Sequence, residues 1–173
     1  HAPIIRVVLS EIFEQSRYVI LEEILLRLAY RKDALLREKV KELAGFYNEI
    51  VVAGAKTCPE KAGAEEMLRK FSPAYGLYVS STTPDASLKE IIQFRKWDGY
   101  FRAVFGYPQE KPKTLRRIIA LEGLKNAQVL VVGDGESDRE SAMKNGCPFL
   151  FVNEQFRFED LESAMDASNW TKG

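Results

Sequence analysis

The chain has 173 residues, 46% of them hydrophobic, 29% charged and 11% aromatic, the profile of an ordinary soluble domain with enough material for a core. Its 25 Lys and Arg balance 25 Asp and Glu, so no nucleic-acid or membrane-surface partner is indicated, and no apolar run nears the roughly 20 residues that cross a bilayer. The single histidine is residue 1 and the two cysteines, Cys58 and Cys147, lack metal-type spacing, which excludes Ser-His-Asp hydrolysis and multi-histidine zinc sites and points to a reduced, cytoplasmic setting.

The first fifty-odd residues read as helix only. Ile5, Val8, Leu9, Ile12 and Phe13 lie on one helical face, Leu21, Leu25 and Leu28 make a second stripe, and Leu36, Val40, Leu43, Tyr47 and Ile50 a third. A polar break at Arg31-Lys32-Asp33 separates the last two. A coiled coil competes with this reading, but the run is short, and a small antiparallel helical bundle is expected. After residue 57 the rhythm changes. Helical stripes at 64–71, 84–94, 112–123 and 137–145 alternate with apolar strand-like runs at 75–80, 101–105, 129–132 and 149–152. A short helix is expected over 159–165, and the tail after Ala167 is expected to be loose. Alternation on this scale predicts an α/β fold: a doubly wound, Rossmann-like parallel sheet buried on both faces, with a helical subdomain before it. The boundary falls at 1–56 and 57–173.

Ligands of such sheets bind beyond the carboxyl ends of the strands. After the first strand stands Ser80-Ser81-Thr82-Thr83-Pro84-Asp85, with hydroxyls and free N–H groups suited to an anion. Simple capping by Thr83, Pro84 and Asp85 accounts for much of that segment, less so for Ser80 at the strand tip. After the second strand, Lys111 sits between a turn and a helix start, where an ammonium can reach a phosphate or simply face solvent. After the third comes Gly133-Asp134-Gly135-Glu136-Ser137-Asp138. Ser137 and Glu140 fit a capping box and Asp138 suits the helix dipole, but neither explains a carboxylate at Asp134 directly beyond the strand. Hydroxyls, an ammonium and carboxylates at three consecutive strand tips, on one edge of one sheet, suit a magnesium-assisted reaction on a phosphate ester.

These residues resemble the haloacid dehalogenase superfamily, in its phosphoglycolate-phosphatase-like branch with a small helical cap. YGLYVSSTTPDASLKEII resembles motif II, FGYPQEKPKTLRRI motif III and VLVVGDGESDRESAMKNGCPFLFV motif IV. The resemblance spans roughly residues 57–153, with the first 55 residues fitting the cap. It implies Ser80, with Ser81, as phosphate-binding groups, Lys111 rather than Lys113 as the motif III lysine, Asp134 as a Mg2+ ligand and Asp138 as a residue that ligates or orients the metal site. It implies a phosphatase acting on a small phosphorylated metabolite through an aspartyl-phosphate, with the cap closing over the site and choosing the substrate. Arg6, Arg17 and Tyr18 are cap candidates for substrate contact, and the apolar cap can support a homodimer. Dehalogenation needs no metal, and the Gly-Asp-Gly-x-x-Asp segment favours one.

Motif I of that family, an Asp-x-Asp pair at the end of the first sheet strand, has no counterpart in the chain, and HAPIIRVV resembles the stretch that follows it. The nucleophile is therefore expected upstream of His1, on a strand central to the sheet. Without that strand its neighbours would stand about 9.5 Å apart with unpaired edges. A domain that dispensed with motif I altogether would be a non-catalytic phosphate-binding or protein-interaction module, and is the alternative.

Overall fold

The computed structural model describes residues 1–12 and 17–167, which form two compact units, His1–Thr57 and Cys58–Gly173. Phe13 and the tail after Ala167 lie outside the described residues.

The first unit contains α1 (Ala2–Ile12), α2 (Arg17–Arg27) and α3 (Ala34–Thr57). Leu25, Leu36 and Val40 are buried together, with Leu21, Leu26 and Leu43 packed around them. The polar break becomes the turn between α2 and α3, where the Leu36 N–H donates to the Asp33 carboxylate at 3.0 Å. Arg27 ties α1 to α2 through Glu11 at 2.6 Å while also holding Glu23 at 2.7 Å. The outer parts of two expected stripes are not buried: Ile5, Leu9, Tyr47 and Ile50 are exposed, and Val8 is the buried residue of α1. At 11 residues each, α1 and α2 offer too little facing surface to cover a stripe as broad as i, i+3, i+4, i+7 or the full length of the 24-residue α3.

The second unit carries α4 (Ala64–Phe71), β1 (Tyr78–Pro84), α5 (Asp85–Phe94), β2 (Ala103–Tyr107), α6 (Lys111–Glu122), β3 (Val131–Gly133), α7 (Glu136–Asn145), β4 (Phe149–Phe151) and α8 (Phe158–Ala167). It is an α/β fold with parallel strands. β1 pairs with β2 through Tyr78–Ala103, Val79–Val104 and Ser80–Phe105, and β3 pairs with β4 through Val131–Phe149, Val132–Leu150 and Gly133–Phe151. Among the described residues the strands form two sheets of two, not one continuous sheet. Their strands are accordingly half-buried, not enclosed on both faces: Val132 is 40% and Phe151 54% exposed. A strand in a two-stranded sheet keeps one open edge and packs less against its neighbours. The core is made by the flanking helices. Phe71 of α4 with Phe156 and Leu161 gathers Leu77 from beside β1 and Leu130 and Leu150 from the other sheet, while Leu115 of α6, Ala142 of α7 and Cys147 form a second cluster.

Two helix starts differ from expectation. β1 runs on to Pro84 after an irregularity beyond Ser80, so Pro84 and not Thr83 occupies the cap position of α5. Helix α7 starts at Glu136, which makes Gly135 its cap and puts Asp138, rather than Glu140, at the third position, reaching back to the Gly135 N–H at 3.3 Å. Asp85 leads α5 and fastens it to β2, accepting from the Gly106 N–H at 3.0 Å and pairing with Lys89 at 2.7 Å. The Lys89 hydrogen bond first, and the Gly106 N–H second, hold the Asp85 carboxyl below its usual range. A carboxyl lowered in this way contributes stability above the unfolded value of 3.8 and loses it as the pH falls through the folded value. Melting temperatures between pH 3 and 6 should show a shallower acid decline for Asp85→Asn than for the unaltered chain.

Candidate active site

Three of the expected site residues line one cavity of about 510 Å³: Ser80 from β1, Lys111 from the start of α6 and Asp138 from the first turn of α7. The Lys111 ammonium donates to Asp138 Oδ1 at 2.7 Å, and both side chains are largely buried, 13% and 14% exposed. The second carboxylate oxygen of Asp138 accepts the Gly135 N–H, so each oxygen is occupied and the side chain is fixed. Because α6 follows β2 and α7 follows β3, this ion pair draws the carboxyl ends of β2 and β3 together. Asn145 reinforces the meeting: its side-chain amide donates to the Pro112 carbonyl at 3.0 Å and to the Ser141 carbonyl at 2.9 Å, tying the end of α7 to the start of α6.

The Ser80 hydroxyl is buried and has no hydrogen-bond partner among the described residues. A buried hydroxyl left unpaired is costly, so Oγ stands ready for a ligand oxygen. Ser81 is placed differently. Its Oγ accepts the Thr83 N–H at 3.1 Å and lies 3.1 Å from the Thr83 hydroxyl, which occupies it within its own loop. Lys113 is exposed and pairs with Glu110 at 2.9 Å. Arg17 donates to Asn48 at 3.3 Å and stacks its guanidinium over Tyr47, while Arg6 and Tyr18 are exposed.

Asp134 follows β3 directly and is exposed. Among the described residues no three His, Cys, Asp or Glu side chains gather in a way that holds a metal ion. The donors present are carboxylate oxygens, and a magnesium-like cation takes only one or two of these, completing its shell with water and substrate phosphate. Asp134, exposed directly beyond the strand tip, offers such a cation a carboxylate, whereas both Asp138 oxygens are already engaged by Lys111 and the Gly135 N–H.

Gly133 is required by this arrangement. A Cβ there would stand 2.4 Å from Asp138 Cγ and 2.6 Å from its Cβ, too close for the carboxylate to keep its position. Gly133→Ala should therefore push Asp138 away from Lys111 and cost about 1–3 kcal/mol of stability, measured by urea unfolding; an unchanged midpoint would contradict the close packing.

Sequence reasoning missed two groups. Asn145 carries no motif, and only its place in the last turn of a helix before a glycine hints at a role. Elsewhere in the lining of the cavity Tyr78 donates to Glu122, which also pairs with Arg102. Burial first, and the Glu122 carboxylate second, push the Tyr78 phenol above its ordinary value. Nothing in their spacing announces that set.

The haloacid dehalogenase-like hydrolase family model matches residues 8–152. A 5'-nucleotidase of Pseudomonas aeruginosa is 29% identical over 104 residues, covering 57% of this chain and 47% of that protein, so the chain spans about half the length of this curated relative. Among solved structures, a HAD-superfamily hydrolase of subfamily IA from Geobacter sulfurreducens superposes with a TM-score of 0.63 at 21% identity, covering 83% of this chain and 72% of the other. A predicted phosphoglycolate phosphatase from Haemophilus somnus gives 0.65 at 19% identity, over 80% and 64%. At such identities these two likenesses concern the fold.

Proposed function

The chain belongs to the haloacid dehalogenase-like hydrolases, and on that footing we propose that it serves a magnesium-dependent phosphatase that hydrolyses a small phosphomonoester through an aspartyl-phosphate. The observation that carries the reading is the buried Lys111–Asp138 pair sharing a cavity with the unpartnered Ser80 hydroxyl, at the carboxyl ends of parallel strands. The names of the relatives support a phosphatase-type hydrolase.

In this reading the Ser80 hydroxyl donates to a phosphoryl oxygen and the Lys111 ammonium offsets the dianion's charge, both worth more in a largely buried site than in water. Asp138 keeps Lys111 in place. Ser81 joins only by giving up its Thr83 contacts. Asp134 would hold the Mg2+, with Asp138 joining directly only by giving up Lys111 or the Gly135 N–H, and the ion would supply charge neutralisation between an incoming carboxylate and the phosphate. The attacking carboxylate is one these residues do not supply. The reading takes it to be an aspartate on a strand entering beside Ser80, which forms a bond to phosphorus as the ester oxygen leaves; water then hydrolyses the acyl phosphate. The first unit acts as the cap that selects the substrate. The reading places the reaction in the cytoplasm, where the thiols of Cys58 and Cys147 stay reduced.

The full-length gene product is expected to release phosphate from a generic aryl phosphate over many turnovers with Mg2+ present. Binding of inorganic phosphate with no turnover would overturn the reading and leave a non-catalytic phosphate-binding module.

A further inference from the structure

Tyr107, the last residue of β2, is 59% exposed, and no described residue bonds to its hydroxyl or stacks on its ring. An exposed tyrosine is ordinary in itself; the position of this one is not. Successive side chains of a strand turn to opposite faces. On β2, Gly106 faces α5, since a Cβ added to it would stand 2.4 Å from Asp85 Cα. Phe105 turns to the other face, where its ring stacks on Tyr78 of β1 with centroids 6.5 Å apart. That face looks toward α6, because Tyr78 donates to Glu122 there. Ser80, two residues after Tyr78 and paired with Phe105, shares it. The next side chain on the same face of β2 is Tyr107. It lies diagonally beyond Ser80, about 8 Å away between Cα atoms at ordinary strand spacings, and on the side where Lys111 begins α6.

The backbone under this ring is held from several directions. The Gly106 N–H donates to Asp85 at 3.0 Å, Tyr107 pairs with Pro84 across the ladder, and the Gln109 N–H closes a turn on the Gly106 carbonyl at 3.0 Å. A tyrosine with a fixed backbone has two rotatable bonds left to order when a ligand covers it, which keeps the entropy cost of contact low. A phosphoryl group held by Ser80 and Lys111 directs its ester group outward over this strand end. A hydroxylated alkyl group gains little against a phenol face, whereas a planar ring removes apolar surface of both rings from water and stacks.

We propose that Tyr107 is a specificity-determining residue, whose ring stacks on the organic group of the phosphate ester and favours aromatic over alkyl groups. The inference rests on the proposed phosphatase site, because it takes Ser80 and Lys111 as the phosphoryl end.

The probes are phenylphosphonate and methylphosphonate, which share a phosphoryl head, differ in the group it carries and are not hydrolysed. Each is titrated into the full-length gene product by calorimetry with Mg2+ present. The parent should bind phenylphosphonate about fivefold more tightly than methylphosphonate. Tyr107→Ala should abolish that preference and leave the methylphosphonate affinity unchanged, and Tyr107→Phe should retain the preference. Equal affinities in the parent, a preference that survives Tyr107→Ala, or a loss of methylphosphonate binding in that variant would overturn the proposal. So would an absence of binding by either phosphonate. Turnover is not read. A preference lost with Tyr107 in a protein that hydrolyses no phosphate ester would sink the phosphatase reading and keep the contact, and hydrolysis without any such preference would do the reverse.

Discussion

Replacing Lys111 by Met should destabilise the second unit by about 3 kcal/mol, because it strands the Asp138 carboxylate at 14% exposure with no counter-charge. The midpoint of urea unfolding measures this. Asp138→Asn should cost less, since its side-chain oxygen can still accept the Gly135 N–H while Lys111 loses its partner. The informative variant is the double one. With both charges removed no buried ion is left unpaired, so the combined loss should fall short of the sum by about 1–3 kcal/mol. Strict additivity would mean that the pair is not coupled. Turnover of the full-length gene product should be lost in Lys111→Met and in the double variant, because restoring stability does not restore the ammonium. Lys113→Met is the control: its exposed pair with Glu110 should be worth within about 0.5 kcal/mol.

Asp134→Asn should reduce turnover of the full-length gene product by about a thousandfold or more, on the order of 4 kcal/mol of barrier, with no loss of fold. Asp134 is exposed and no described contact depends on it, so urea unfolding of the variant should match that of the parent within about 0.5 kcal/mol. The asymmetry is the point. A carboxylate placed beyond a strand tip with no structural work to do is expected to matter only when a cation is bound. Unchanged turnover would remove Asp134 from the metal site, and a large loss of stability would give it a structural role instead.

The local features were legible in the sequence because local chemistry sets them. Gly123 and Gly146 adopt left-handed conformations at φ 65° and 63° and end α6 and α7 where a glycine after a periodic run says they should. Lys111 and Asp138 stand out as charges beside turns that follow apolar strands. Helix starts were read less well. Ser, Thr and Asp crowd both loops, and the choice among them depends on how far β1 extends and on Asp138 turning back to Gly135. Strand pairing was beyond the local pattern: an apolar run such as 129–132 announces a strand but not its neighbour. The gap was expected, though: without a strand between those of motifs II and IV their edges stay unpaired, and the described strands make two sheets of two. Asn145 and the Tyr78–Glu122–Arg102 set were hidden for a related reason. Their partners lie 20 to 44 residues away, apart from the Ser141 carbonyl one turn back.

The account stands most directly on the metal dependence of hydrolysis. The full-length gene product should be stripped with excess chelator, assayed with a generic aryl phosphate, and then given Mg2+ back. Hydrolysis that disappears on chelation and returns with added Mg2+ in the parent, but not in Asp134→Asn, is the predicted result. Hydrolysis that persists in chelator, or that returns equally in both proteins, would contradict it.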